Sequence, residues 1–196
     1  MTHTPYWDPL PTVRAAAGHP LPQWTPGCGF AAADWSAAEP GRWEKRSWRD
    51  VPGPFYAADT DTCWTGRLCA PGHVMYDDEY GQEFVYRQPR TQQETYDLLC
   101  AAECDPFAGY GADGDAHWTP ELVRDWWRER GRVREWAARI ERTWSVSTNE
   151  WEREAAGGAR AYLAHIDGDL ADYLRGYLFW LAERRPAGPD EALPRL

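Results

Sequence analysis

The sequence predicts an α+β fold, with a small antiparallel sheet and an irregular, Trp-rich N-terminal chain packed on three or four C-terminal helices. Three observations lead there. Helical periodicity with capping signals is confined to the second half of the chain. Short β-favouring runs between turn residues fill 54–90. The first fifty residues show neither period and are dense in Pro, Ala and Trp. A chain of 196 residues suits a single domain, 1–196, that buries about 70% of its unfolded surface.

Residues 1–53 read as an irregular wrap. Trp7, Trp24, Phe30, Trp35, Trp43 and Trp48 pin it, because an unpacked tail would not need so many large rings. Asp34 is suited to capping a short helical turn. Residues 54–90 read as β and loop. Pro54–Ala57 and His73–Tyr76 are short β runs, and Glu83–Arg87 is the clearest strand, with Phe84 and Tyr86 on one face and Val85 on the other. Asp77–Gly81 lies between the last two runs as a hairpin loop, and Pro89 ends the strand.

Residues 91–184 read as helical. Thr91 and Glu94 form a capping box, the Glu reaching back to the Thr91 amide, for a helix to about Cys104. Residues 105–118 form a long loop. Thr119-Pro120 opens the next helix. Leu122, Trp126, Val133, Trp136, Ile140 and Trp144 are its apolar stripe, and Gly131 is a candidate break. Seven arginines lie opposite, for which i, i+4 pairing such as Asp125 and Glu129 with Arg128 and Arg132 is the expected use. Ser147–Glu150 is a second capping box, for a helix to about Ile166 that Gly157-Gly158 weakens. The last helix spans about 169–184. Residues 185–196 form a loose tail.

Charge separates the stretch 50–121 from the rest. It holds fourteen of the 31 carboxylates against Arg67, Arg87 and Arg90 and no lysine, a formal charge of −11 where the whole chain carries −10. The single lysine among 21 basic residues is the mark of a GC-rich genome. An apolar run long enough to span a membrane is absent, and the N-terminus lacks the pattern of a secretory signal, so a cytoplasmic protein is expected. Five cysteines, at 28, 63, 69, 100 and 104, then read as reduced thiols. Cys100 and Cys104 are four apart and share a helix face.

Several constellations could carry function. Asp59, Asp61, Trp64, Asp77, Asp78, Glu79, Tyr80, Asp113, Asp115 and Trp118 mix acids with rigid rings and suit a surface that attracts and grips a basic partner. His73, Asp113, Asp115 and His117 are the candidate metal ligands, although the spacing is not that of an EF-hand. Cys63 could be a nucleophile beside His73 or His117. No phosphate loop, nucleophile elbow or zinc-protease motif occurs, so no catalytic residue and no cofactor is assigned. The net charge argues against nucleic acid as the partner.

The run from Val51 to Trp136, beginning VPGPFYAADTDTCW, resembles a group of small actinobacterial proteins of unassigned function, some labelled ferredoxin. The iron–sulfur spacings C-x4-C-x2-C and C-x2-C-x2-C are absent here, so the resemblance implies a lineage and brings no site residues.

Together these readings point to a non-enzymatic acidic binding protein, most concretely an immunity-type inhibitor of a basic toxin effector. A second reading is a small enzyme or accessory protein of secondary metabolism, metal-dependent, with a site around 59–64, 73 and 113–118. A third is a small-molecule module with an aromatic cleft.

Overall fold

The computed structural model describes residues 6–17, 19, 21 and 41–196. Trp24, Cys28, Phe30, Asp34 and Trp35 lie outside the described residues. The fold is α+β, with its long helices C-terminal and its strands in two separate antiparallel pairs. The chain forms two compact units, one of residues 8–117 and one of residues 118–196 with Tyr6 and Trp7.

The first unit is rich in loops. α1 (Leu10–Ala16) is a short helix where the sequence suggested irregular chain. It starts at Pro9 with a second proline at Pro11, which suits a helix start because the first turn has no use for those amides. β1 (Tyr56–Ala57) pairs with β4 (Tyr110–Gly111), a strand inside the stretch 105–118 whose sequence predicts a loop. Gly111 is required there, since a Cβ would lie 2.3 Å from the Tyr56 ring. α2 (Thr65–Cys69) is a further short helix not foreseen.

β2 (Val74–Tyr76) pairs with β3 (Glu83–Val85) in the register Val74 to Val85, Met75 to Phe84 and Tyr76 to Glu83. All six residues are buried, so both faces are covered and the expected split between Phe84 and Val85 has no solvent side. α3 (Gln92–Cys104) is capped by the Thr91 hydroxyl, which accepts from the Glu94 amide at 3.2 Å. The Glu94 carboxylate accepts from the Arg90 amide at 2.6 Å, one residue before the expected partner. The core of this unit gathers Val13, Leu21, Phe55, Val74, Val85, Leu98 and Leu99.

The second unit is helical. α4 (Pro120–Trp144) is capped by Thr119 and runs through Gly131 without a break. α5 (Glu150–Asp167) is capped by Asn149, whose Oδ1 accepts from Trp151, in place of the expected Ser147. It too passes its glycine pair. A Cβ at Gly131 or Gly157 would meet open space, so each glycine costs only helix propensity, about 1 kcal/mol, which packing offsets. α6 (Leu170–Glu183) completes the unit, and the three helices pack on one another. Val123 replaces Leu122 in the buried stripe, for Leu122 is 38% exposed. Small residues Ala155, Ala156 and Ala159 line the buried face of α5. The Tyr6 ring lies against Tyr173, Tyr177 and Trp180 with centroids 5.2–5.8 Å away.

The arginines of α4 reach beyond their own helix. Arg134 makes a two-pronged bond to Asp167 at 2.8 and 2.9 Å, and Glu141 accepts from Arg160 at 2.9 Å. Arg128 pairs within the helix with Asp125, three residues away. The terminal stretch expected to be loose is tied down: Arg124 donates to the Arg195 carbonyl and Arg175 to the Pro194 carbonyl, each at 3.1 Å. Among the described residues no helix is long and apolar enough to cross a membrane.

Candidate functional site

Five acids of the 50–121 stretch, Asp50, Asp61, Asp77, Glu83 and Asp105, are buried and accept hydrogen bonds that regular structure would otherwise supply. A unit with four strands of two or three residues leaves many amides without a ladder partner. Asp50 accepts from the Val85 amide at 2.7 Å and the Ala57 amide at 3.3 Å, linking β3 to β1. Burial pushes its pKa well up. Asp105 takes the amides of Asp61, Phe107 and Gly109. Glu83 takes the Tyr110 hydroxyl at 2.7 Å and the Arg67 amide at 3.0 Å, and burial lifts its pKa to about 7.

The nominated recognition residues divide accordingly. Asp61 is buried and accepts from the Cys63 amide at 3.0 Å. Asp115 and Trp118 are buried. Asp113 is half-buried and accepts from Tyr56 Oη at 2.7 Å, from the Gly41 amide and from His117 Nε2 at 3.0 Å. Burial raises its pKa, but the Tyr56 and His117 bonds outweigh that and hold it below the ordinary carboxylate range. Asp59 is half-exposed, with a backbone φ of 53°, and is neutralised by Lys45 at 2.6 Å and Arg42 at 3.4 Å.

Asp78, Glu79 and Tyr80 remain, all exposed at the β2–β3 turn, with Tyr80 73% exposed. The turn beneath them is locked. Buried Asp77 accepts through one oxygen from the amides of Glu79, Tyr80 and Gly81 at 2.9, 2.7 and 3.2 Å. Its other oxygen faces buried Arg49 at 3.8 Å, and that guanidinium lies over the Trp48 ring. Trp64, itself left-handed at φ 61°, stacks on Tyr76 at 4.2 Å and donates Nε1–H to the Gly81 carbonyl at 3.1 Å. Gly81 sits at φ 71°, where a side chain would be strained. Asp77 and Trp64 therefore act as supports for a rigid tip, a role that sequence reasoning assigned to direct contact. Arg49 was missed altogether, since a codon-biased arginine content hides a buried one.

A shallow cleft of about 180 Å³ opens beside the turn, lined by Lys45, Arg46, Trp48, Asp59, Glu79 and Tyr80 among others.

Among the described residues the expected metal ligands form no group of three, although Asp113 and His117 meet, hydrogen-bonded at 3.0 Å. His73 Nδ1 pairs with the Arg87 carbonyl at 2.9 Å and burial lowers its pKa, while Asp113 is committed to three donors. Among the described residues, the one group of three or more potential ligands is Cys69, Cys100 and Cys104, with all three Sγ atoms within 4.8 Å of one another. The i, i+4 spacing of Cys100 and Cys104 was legible, whereas Cys69 arrives on α2. Cys63 is exposed, and the Asp61 carboxylate raises its pKa, the wrong direction for a nucleophile.

No protein-family model, no curated protein and no solved structure matches this chain.

Proposed function

We propose that the protein is a non-enzymatic binding protein that engages a basic partner protein through the tip of the β2–β3 turn, most concretely as an immunity-type inhibitor of a toxin effector. The observation that carries this reading is Tyr80, 73% exposed directly after two exposed acids on a turn locked by Asp77. Folding gains little from leaving a large ring in water. A rigid, solvated tyrosine, however, docks with little loss of conformational entropy and is a typical binding hot spot. Asp78 and Glu79 add attraction toward a cationic cleft and speed encounter. The neighbouring cleft, about 180 Å³, is smaller than the roughly 300–1,000 Å³ of small-molecule pockets, so the tip itself suits a macromolecular partner better than a small ligand.

The test is co-expression with the products of adjacent genes, followed by affinity capture. A basic effector should be retained by the wild type, be released as salt rises, and bind Tyr80→Ala at least about 30-fold more weakly. Tyr80→Ala should fold and melt like the wild type. Capture of the same effector with undiminished affinity by Tyr80→Ala and by the double variant Asp78→Asn/Glu79→Gln would refute the assignment.

A further inference from the structure

Cys69 ends α2, and Cys100 and Cys104 occupy the last two turns of α3, the helix on which α2 packs. Cys104 Sγ lies 3.3 Å from Cys69 Sγ and 3.8 Å from Cys100 Sγ. None of the three is in a disulfide, in which the sulfurs would be about 2.05 Å apart. A metal held by thiolates at about 2.3 Å in tetrahedral geometry places its sulfurs about 3.8 Å apart. The observed triangle, with two edges of 3.3 and 3.8 Å and none above 4.8 Å, brackets that spacing.

We propose that Cys69, Cys100 and Cys104 form a binding site for one thiophilic metal ion of the Zn(II) or Cu(I) class.

The donor set selects this class. All three ligands are sulfur, and no carboxylate or imidazole joins the group, so hard, oxygen-seeking cations such as Mg(II) and Ca(II) are excluded. Cys69 and Cys100 are each 1% exposed within an apolar cluster that includes Ala70, Leu98, Leu99 and Ala101. Cys104 is only half-buried and gives the ion a way in. Thiol protons leave to solvent as the metal binds. Cys104 ends the thirteen-residue α3, where the partial charge is negative, and the last turn of that helix carries no basic residue.

The protein should be purified without metal under reducing, oxygen-free conditions and titrated with Zn(II) and, separately, Cu(I) against a chromophoric chelator of micromolar affinity. One equivalent of at least one ion should be withdrawn from the chelator. Co(II), standing in for Zn(II), should show sulfur-to-metal charge-transfer absorption. Cys104→Ser and Cys100→Ser should weaken binding by roughly 100-fold or more, and Cys63→Ser should leave it unchanged. Tryptophan fluorescence and circular dichroism verify that each variant is folded, and Cys104→Ser, at the half-buried position, is the least disruptive. Failure of the reduced wild type to take either ion from the chelator would overturn the proposal, whatever the variants do. So would folded Cys104→Ser and Cys100→Ser proteins that bind as tightly as the wild type.

Discussion

Replacing Glu83 with Gln isolates the energetic consequence of one buried acid. The side chain is 2% exposed, and burial, helped by Asp61 and Asp105, lifts its pKa from 4.5 to about 7 against the opposing bonds from Tyr110 and Arg67. The folded value lies above the unfolded one. Between pH 4.5 and 7 the unfolded chain has therefore shed a proton that the folded chain retains, and stability falls as pH rises through that window. A gap of about 2.5 pH units corresponds to roughly 3 kcal/mol, present below pH 4.5 and gone above pH 7. Glutamine has the same shape, does not titrate, and can pair with Tyr110 Oη and the Arg67 amide. Urea unfolding followed by tryptophan fluorescence, for both proteins from pH 4 to pH 8.5, provides the assay. The difference between the two proteins cancels every other titrating group. Glu83→Gln should gain roughly 3 kcal/mol relative to the wild type between the ends of that range. A difference that stays flat within about 0.5 kcal/mol would refute the reasoning, because it would mean that Glu83 is ionised in the fold at no cost.

Two other outcomes follow from the geometry. Asp77→Ala removes the acceptor of three amides and leaves Arg49 buried without its carboxylate. Urea midpoints should report a loss of about 3 kcal/mol, and hydrogen exchange should speed up at the Glu79, Tyr80 and Gly81 amides. Gly131→Ala should stabilise α4 by up to about 1 kcal/mol in the same measurement, because the added methyl meets open space.

Local chemistry was legible in the sequence and distant pairing was not. Thr91 and Thr119 announced their helices because a cap acts within three residues. The Asp77–Gly81 turn was visible for the same reason. α1 escaped notice because Pro9 and Pro11 read as irregular chain, and α2 because five residues show no period. β4 pairs with a strand more than fifty residues away and carries a glycine. The inward acids were the largest surprise. Asp50 reaches an amide 35 residues along the chain, and Asp105 serves one 44 residues back. No window of sequence distinguishes such an acid from a solvated one. The thiol trio was half visible for the same reason: two members share a helix, and the third depends on how α2 lies against it.

Because carboxylates here do the bonding that a larger sheet would do with its own backbone, a low isoelectric point accompanies scarcity of strands. Neutralising substitutions aimed at shifting the isoelectric point would therefore have opposite effects at neighbouring positions. Glu79, exposed at the tip, could be neutralised with little cost to the fold, whereas Asp50, Asp77 and Asp105 behave like tie-beams whose removal lets the surrounding loops come apart.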